Sequence, residues 1–474
     1  MIKFNELRTK IVATIGPSSN NHETLTNLVK AGVSTIRVNF SHGNEQTHKQ
    51  VYDLTRQVSK ELEVPLSLML DTKGPEIRVG KMKNDVCEIK ANTILTIKTD
   101  EDSYKNLIGD EKTITVSYRM DKDVHKNDKV LLDDGKLVTI VKEIKENAVI
   151  VETQNSHFLK TNKRVNIPGV EFSLPFLGQK DKEDILWGIN YGIDIIAASF
   201  VNSAKNVNEI RQILKENNAE HIQICSKIES KTGIDNIDEI IESSDAIMVA
   251  RGDLGLEIPF YDVPYYQKRI IRKCRLAGKQ VIVATQMLDS MEKSPLPTRA
   301  EVTDVYYAVE LGADSTMLSG ESASGLYPVN AVQTMAKIAQ RAELEYYNEL
   351  FYSEQLQAVA KDADSRLKIA YEIAKKLKDG KYKYAIVLSH TGQLLKELSK
   401  YRPNAFIIGI VHSDKLTNQY GITSGIFCEQ HSETIRLKIK ENHANAKVPL
   451  EKFNIKKGDK FIVADSLNIT EHTY

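Results

Sequence analysis

The stretch from Ile222 to Glu257 reads IQICSKIESKTGIDNIDEIIESSDAIMVARGDLGLE. Two short apolar runs in it, IQICS and AIMVA, are each followed by charged residues. Lys227 and Glu229 follow the first run, and Arg251 and Asp253 follow the second. Apolar runs of this length are typical of buried strands, and a helix-length polar segment separates them. Since a buried strand has little structural need for charge at its end, these residues mark a candidate site of chemistry.

The same alternation of apolar runs and amphipathic segments extends along the chain in both directions. The runs are continuous in hydrophobicity, as in parallel strands that are covered on both faces. Eight runs, each followed by a helix-like segment, predict a closed (β/α)₈ TIM barrel rather than an open doubly wound sheet. The predicted strands are 10–16, 35–41, 65–72, 193–200, 222–229, 246–253, 280–287 and 314–320.

Two further domains interrupt or follow this alternation. Short β-branched runs with few helical signals predict a small inserted β-barrel domain, in which Asp134-Gly135 marks a hairpin turn. A second α/β unit follows the barrel. The predicted domains are the barrel in two parts (1–73 and 174–345), the inserted β domain as a lid (74–173), and a C-terminal α/β domain that is a candidate for regulation (346–474).

The composition favours a globular protein that acts on small ligands. The 474 residues have a formal net charge of +0 at pH 7, which argues against binding nucleic acid or a membrane surface through bulk charge. The four cysteines lie far apart without a CxxC motif, as expected in a reducing cytoplasm. The N-terminus lacks a long apolar segment, and no apolar run is long enough to span a bilayer. We therefore expect a cytoplasmic protein with neither nucleic acid nor membrane as partner.

Polar groups end seven of the eight predicted strands, at the face where (β/α)₈ barrels place their active sites. Glu229 and Asp253 end neighbouring strands, which lie about 4.8 Å apart. Two carboxylates this close repel unless a cation lies between them or one is protonated. Magnesium held by the two carboxylates, water and substrate is the favoured explanation, and salt bridges to Lys227 and Arg251 are the alternative.

Other residues at this face suit phosphate and monovalent cations. Lys227 leaves its strand on the same side as Glu229, where it is either a stabiliser of a transferring phosphoryl group or a counter-ion. Arg37 and Arg78 carry planar guanidinium groups that suit phosphate. One group of oxygen ligands contains a single carboxylate, which suits a large monovalent cation, although ordinary hydrogen bonding is the simpler explanation. Its members are Asn39, Ser41, Asp71 and Thr72.

Several long motifs occur in an order that identifies a family. They are KIVATIGPSS, IRVNFSHG, LDTKGPEIR, SKIES, IMVARGDLG, VATQML and PLPTRAEVTDVYYAVELGADSTMLSGES. Over essentially its whole length the chain resembles the pyruvate kinases, which carry their lid and C-terminal domains at the same places. The resemblance implies phosphoryl transfer from phosphoenolpyruvate to ADP, giving pyruvate and ATP in the last step of glycolysis. It also implies a cytoplasmic homotetramer that depends on magnesium and potassium.

The resemblance assigns roles to individual residues. The protein-bound magnesium would be held by Glu229 and Asp253, and a second magnesium would arrive with the nucleotide. Potassium would be held by Asn39, Ser41, Asp71 and Thr72, with Glu76 accompanying the dependence on potassium. The catalytic residues would be Lys227, Thr285, Arg37, Arg78, Ser319 and Glu321, the last two in the water network that delivers the enolate proton. Phosphoenolpyruvate would contact Arg37, Lys227, Gly252, Asp253 and Thr285. The nucleotide would contact Pro17, Arg37, His42, Arg78 and Lys180.

The chain departs from the family in its C-terminal domain. The family's phosphate loop for an activator has hydroxyl residues at three positions, and here it reads Ser389-His390-Thr391-Gly392-Gln393-Leu394. Leu394 cannot bind phosphate, and the tail VADSLNITEHTY lacks the family's glycine-rich ending. We therefore expect a sugar-phosphate activator to be lost, changed or weakened.

The residues leave two other functions open. One is a magnesium-dependent lyase or mutase that acts on enolpyruvate compounds and needs neither the lid nor the potassium ligands. The other is a catalytically inactive metabolite sensor, which the intact Lys227, Glu229, Asp253 and Thr285 disfavour. Arg251 is assigned no role in catalysis or binding and is expected to be structural.

Overall fold

Eight parallel strands close into a barrel in the computed structural model, which describes residues 6–170, 172–361, 368–429 and 432–474. This confirms the predicted (β/α)₈ architecture. The main hydrophobic core lies between the strands and the helices around them. Around the barrel the strands are Lys10–Thr14, Ser315–Leu318, Gln280–Ala284, Ala246–Ala250, Gln223–Ile228, Ile195–Ala198, Ser67–Asp71 and Val33–Asn39.

Side chains cap the start of several helices around the barrel, and Glu45–Leu62 is one example. The Asn44 side chain accepts the N–H of Thr47, while the Thr47 hydroxyl accepts the N–H of Asn44, which closes a capping box. None of the described helices is long and apolar enough to cross a membrane. The barrel helices are His22–Ala31, Glu45–Leu62, Gln179–Asn190, Ala204–Glu216, Lys231–Asp235, Ile237–Ser243, Arg251–Glu257, Val263–Leu276, Arg299–Glu310, Gly320–Ala323 and Pro328–Tyr346.

The sixth strand is shorter than predicted. It ends at Ala250, and Arg251–Glu257 forms a short helix, so Asp253 lies in a helical turn rather than on a strand. The neighbouring strand ends at Ala284 because Thr285 and Gln286 adopt left-handed backbone angles, with φ of 68° and 53°. Residues after Ala250 therefore have no extended neighbour to pair with.

The inserted domain is a small closed β structure, as predicted. Its seven-stranded sheet runs from Ile77–Arg78 at one edge to Thr113–Thr115 at the other. These edges meet, because Gly80 donates its N–H to Thr115 O at 2.8 Å and Ser117 donates to Arg78 O at 2.9 Å. In order, the strands are Ile77–Arg78, Arg164–Asn166, Lys129–Leu132, Leu137–Lys145, Ala148–Thr153, Ile94–Lys98 and Thr113–Thr115.

The predicted hairpin turn at Asp134-Gly135 joins Lys129–Leu132 to Leu137–Lys145, with φ of 54° and 79° at the two turn residues. A separate ribbon in this domain pairs Val86–Ile89 with His157–Lys160, and a short helix spans Glu101–Asn106.

One carboxylate ties the two chain segments that lead into and out of the lid. Asp181 Oδ1 accepts the N–H of Gly74 at 3.1 Å, and Asp181 Oδ2 accepts the N–H of Gly178 at 3.2 Å. Gly74 has a φ of +70°, and a Cβ there would lie 2.9 Å from side-chain atoms of Ser199 and Phe200. Glycine is therefore required at this junction by both backbone angle and space.

The C-terminal domain is an α/β unit with a five-stranded sheet. In order, its strands are Ile426–Cys428, Phe406–Ile410, Tyr384–Leu388, Lys460–Ala464 and Ile469–Thr473. Its longer helices are Leu350–Lys361, Lys368–Leu377, Gln393–Tyr401 and Ser432–Glu441. In the predicted phosphate loop, Leu394 is buried in the domain core and its N–H donates to Ser389 Oγ at 3.2 Å. The residue that replaces a family hydroxyl thus packs in the core.

The C-terminal domain also closes the amino-terminal end of the barrel. Ile422 is fully buried among side chains of the barrel interior. The preceding Gly421 donates its N–H to Ser67 Oγ at 3.1 Å, and its carbonyl accepts from Ser34 Oγ at 2.7 Å. A Cβ on Gly421 would lie 2.1 Å from Ser67 Oγ and 2.5 Å from Thr35 Oγ1.

We expect Gly421→Val to lower the free energy of unfolding by about 1–3 kcal/mol, because the added methyl groups have no space between the domain and the barrel. Thermal or urea unfolding measures the change. Gly255→Ala is the control, since its Cβ would meet only Val263 Cγ2 at 3.7 Å. Equal losses in the two variants would contradict the close packing at Gly421.

Lys10 lies at the same junction with its charge buried. Its Nζ lies 3.7 Å from the ring centroid of Phe427, and its side chain borders a cavity of about 90 Å³ between the barrel and the C-terminal domain. Burial lowers the pKa of Lys10 to about 7, although Cys428 and Glu343 act in the opposite direction. The unfolded chain, with an ordinary lysine pKa of about 10.4, therefore binds one more proton between these two pH values.

The stability of the native protein relative to a Lys10→Met variant should therefore rise with pH from about 7 to 10, by at most about 1.4 kcal/mol per pH unit. Below pH 7 the difference should be constant, because Lys10 is protonated in both states. Urea unfolding at several pH values measures it, with Lys60→Met on an exposed helix position as control. Parallel curves for the native protein and Lys10→Met would contradict a buried, easily deprotonated Lys10.

Candidate active site

Lys227 lies at the centre of the polar groups at the carboxyl end of the barrel. Its Nζ lies 2.9 Å from Asp71 Oδ1, 2.8 Å from Ser199 Oγ and 3.1 Å from Glu229 Oε1. The side chain is 10% exposed. Although burial opposes the charge, Asp71 and Glu229 hold the pKa of Lys227 above its ordinary value. The ammonium group is thus fixed in position and remains charged.

Asp71 is the shared counter-ion of two cations. Its second oxygen accepts from Arg37 Nε at 2.7 Å, and Arg37 Nη1 donates to Thr14 Oγ1 at 2.8 Å. Burial raises the pKa of Asp71, but Arg37 and Lys227 outweigh it and hold this pKa below the ordinary value. Asp71 therefore brings Arg37 and Lys227 together at the barrel mouth.

Glu229 and Asp253 form an adjacent carboxyl pair. They lie close enough for each to shift the pKa of the other, and Glu229 Oε2 accepts the N–H of Phe200 at 2.6 Å. Burial, together with Asp253, raises the pKa of Glu229 against the influence of Lys227. Two adjacent buried carboxyl groups oppose ionisation of both, and a divalent cation fits this place because it would offset their negative charge.

The described residues contain no group of three or more His, Cys, Asp or Glu side chains that could hold a metal. Any cation at the Glu229–Asp253 pair would therefore complete its coordination with water or substrate oxygens, which is typical of magnesium. The alternative of salt bridges to Lys227 and Arg251 holds only in part. Lys227 forms an ion pair with Glu229, but Arg251 pairs with Asp304 instead.

Arg251 supports the loop that carries Thr285. Its Nη2 donates to Thr285 O at 2.6 Å, and its Nη1 pairs with Asp304 Oδ1 at 2.6 Å. The Thr285 hydroxyl accepts the N–H of Gly252 at 2.7 Å, which places it beside the helix that carries Asp253. Arg251 thus has the structural role that was expected of it.

A cleft of about 630 Å³ opens beside this cluster. Five of the predicted site residues line it, and they are Pro17, Arg37, Asn39, His42 and Ser319. Ser319 Oγ is buried without a hydrogen-bond partner in the described structure, so it can bind a water or ligand. Glu321 accepts the N–H groups of Ser319 at 2.8 Å and Leu288 at 3.1 Å, and burial raises the pKa of Glu321.

The four oxygen residues predicted for potassium lie on adjoining strand ends. Asn39 and Asp71 are partners in the register of neighbouring strands. Asn39 Oδ1 accepts the N–H of Ser41 at 3.0 Å, and Thr72 Oγ1 accepts the N–H of Ser199 at 3.0 Å. Their hydrogen bonds within the protein agree with the simpler explanation, and each of these oxygens also keeps a lone pair.

Two predicted residues point to other partners. Arg78 donates to Glu76 Oε2 at 2.6 and 3.1 Å and to the carbonyl of Asn162 within the lid at 3.1 Å. Lys180 pairs with Asp184 one helical turn away, at 2.5 Å. Within the described residues, neither side chain makes a hydrogen bond to the Lys227 cluster.

The structure adds residues that sequence reasoning missed. Arg164, from the lid, forms an ion pair with Asp253. No sequence signal joins two residues so far apart in the chain. Ser199 and Thr14, which bind Lys227 and Arg37, lie near the carboxyl ends of the predicted strands 193–200 and 10–16. Ser199 was counted among the polar groups at strand ends, but neither residue was assigned a role.

Comparison with known proteins identifies the family. The model of the pyruvate kinase barrel domain matches residues 6–332, more than half of the chain. The chain belongs to the pyruvate kinase family. The pyruvate kinase of Mycoplasma pneumoniae is 41% identical over 452 residues, which cover 89% of each chain. That of Clostridium acetobutylicum is 41% identical over 420 residues, 88% of each chain. A crystal structure of a pyruvate kinase from Cryptosporidium parvum has a TM-score of 0.89 and 37% identity, and the match covers 98% of this chain and 96% of that one.

We expect Lys227→Met to reduce turnover on the order of 10²–10³-fold, because the fixed cation beside the carboxyl pair is lost. Arg37 still neutralises Asp71 in that variant, so the fold should persist. An assay that couples pyruvate formation to lactate dehydrogenase measures turnover, and circular dichroism checks the fold. Lys231→Met, which changes an exposed lysine four residues along, should retain near-normal turnover; near-normal turnover of Lys227→Met would contradict this role.

Proposed function

We propose that this pyruvate kinase family member transfers the phosphoryl group of phosphoenolpyruvate to ADP at the carboxyl end of its barrel. The observation that carries the proposal is the buried Lys227, fixed between Asp71 and Glu229 beside the Glu229–Asp253 pair. Phosphoryl transfer requires positioned cations rather than a protein nucleophile, and this arrangement supplies them.

The reaction breaks the bond between phosphorus and the enol oxygen and forms a bond to a terminal oxygen of ADP. The electron pair stays on the enolate, which takes a proton at its methylene carbon to become pyruvate. Lys227 and Arg37 would balance the charge of the phosphoryl group in flight, and both are held in place by Asp71 before substrate arrives.

Glu229 and Asp253 would hold a magnesium ion, and the closeness of the two carboxyl groups and their hard oxygen atoms support this assignment. When bound, the ion would offset the negative charge of the phosphoryl and enolate oxygens. Gly252, Asp253 and Thr285 would contact the carboxylate of phosphoenolpyruvate. The helix that starts at Arg251 brings these three residues close together.

The nucleotide, with a second magnesium ion, would occupy the cleft of about 630 Å³ that Pro17, Arg37 and His42 line. Arg78 and Lys180 would join it after exchanging Glu76 and Asp184 for phosphate, which requires movement of the lid for Arg78. Ser319 and Glu321 would hold the water that protonates the enolate, since Ser319 Oγ lacks a partner within the described residues.

Potassium would bind Asn39, Ser41, Asp71 and Thr72. Glu76 is the residue that accompanies a dependence on potassium in this family. The closeness of Asn39 and Asp71 in the strand register supports this site. A homotetramer in the cytoplasm also remains a proposal, drawn from the family.

An assay coupled to lactate dehydrogenase tests the function. With ADP, phosphoenolpyruvate, magnesium and potassium, NADH should be consumed only when both substrates are present. Phosphoenolpyruvate consumption without ADP would favour a lyase or mutase, and binding without consumption would favour a sensor.

Turnover should be faster in potassium than in sodium, because the proposed ligands offer one carboxylate and several neutral oxygens to a large ion. The rate is measured at fixed ionic strength, with tetramethylammonium as the inert control cation. Equal rates in all three salts would contradict the potassium site.

A further inference from the structure

Arg164 crosses from the lid to the barrel mouth. It begins the lid strand Arg164–Asn166, and its Nη1 donates to Asp253 Oδ1. Its Nε lies 3.7 Å from Glu76 Oε1, and its guanidinium lies 5.0 Å from the ring centroid of Phe200. The side chain is 14% exposed, so the contact is largely screened from water.

Phe200, the aromatic residue against which Arg164 lies, also contacts the Glu229–Asp253 pair. Phe200 has a φ of +55°, and this backbone angle accompanies the donation of its N–H to Glu229 Oε2 at 2.6 Å. Arg164 thus binds one carboxylate of the pair directly and lies on the residue that fixes the other.

A divalent ion and this guanidinium require the same negative charge. Arg164 takes an Asp253 oxygen, and its positive charge would repel a cation bound between Asp253 and Glu229. Lys227 already forms an ion pair with Glu229. With both cationic side chains in place, the pair has little charge left to attract magnesium.

We propose that Arg164 is an internal counter-ion that competes with the divalent cation for the Glu229–Asp253 pair, so that metal binding displaces Arg164 and repositions the lid. This inference rests on the proposed magnesium site. Arg164 is a positioning residue, since it acts through the two carboxylates rather than on the substrate.

A second contact explains why displacement would tilt the lid rather than release it. Glu257, one helical turn after Asp253, lies beside the lid residues Gly169 and Asn166, and the three residues line one cleft. The helix Arg251–Glu257 therefore holds the lid at two points, and only the Asp253 contact uses a proposed metal ligand. Loss of that contact leaves Glu257 as a pivot.

The test measures Mn²⁺ binding to the whole protein by electron paramagnetic resonance, without substrate. Arg164→Gln should bind Mn²⁺ about tenfold or more tightly than the native protein, because a nearby like charge is removed. Arg164→Lys, which keeps the charge, should remain closer to the native affinity. The matched control is Lys163→Gln, which makes the same charge change at the next residue, where Lys163 pairs with Asp133 at 3.0 Å inside the lid.

Unchanged or weaker Mn²⁺ binding by Arg164→Gln would overturn the inference. Asp253→Asn separates this failure from failure of the metal site. If Asp253→Asn loses Mn²⁺ and Arg164→Gln does not gain affinity, only the competition is wrong. If Asp253→Asn binds Mn²⁺ normally, the metal lies elsewhere. Both the metal site at Glu229–Asp253 and the competition by Arg164 are then wrong.

Hydrogen exchange of the native protein gives a second measurement that needs no variant. Mn²⁺ alone should increase amide exchange in the lid strand Arg164–Asn166, because the anchor to Asp253 is lost. Exchange that Mn²⁺ leaves unchanged or slows would also overturn the inference.

Discussion

The buried charge of Asp71 is the constraint on which the site depends. Asp71 lies at the end of a strand and is 1% exposed, so its ionised form requires compensation. Arg37 and Lys227 supply it from two other strands, and each in turn is held where a phosphoryl group would pass. The barrel contributes the geometry, because its parallel strands bring residues 34 and 156 positions apart in the chain to one carboxylate.

The fold could be predicted from sequence because its signals are local and repeated. Eight continuous apolar runs separated by amphipathic segments admit few architectures. Strand ends were less predictable, and the sixth strand is the clearest case. The left-handed backbone angles at Thr285 and Gln286 end the neighbouring strand Gln280–Ala284. The residue types Thr and Gln do not predict such angles. Two strands of the C-terminal sheet, Ile426–Cys428 and Ile469–Thr473, are likewise hard to predict from sequence, since they are short and flank loops.

Some of the site residues could be predicted from local sequence, and others could not. Lys227, Glu229 and Asp253 were visible as charges that follow apolar runs, and the structure brings them together. The partners of Arg78 and the contact of Arg164 depend on how the lid lies against the barrel. That arrangement is set by contacts between distant segments, such as Asn166 with Glu257, which no local pattern encodes.

The attachment of the lid through Asp181 has a consequence for how such an insertion is tolerated. Because Gly74 and Gly178 bind the two oxygens of one carboxylate, the ends of the insert are almost in contact. To the barrel, the whole domain is therefore equivalent to a tight loop, and its length adds little closure entropy. The barrel can keep its strand register whatever the size of the insert. A large, independently packed module can thus be carried, exchanged or reshaped in evolution at the mouth of the barrel without disturbing the strands beneath it.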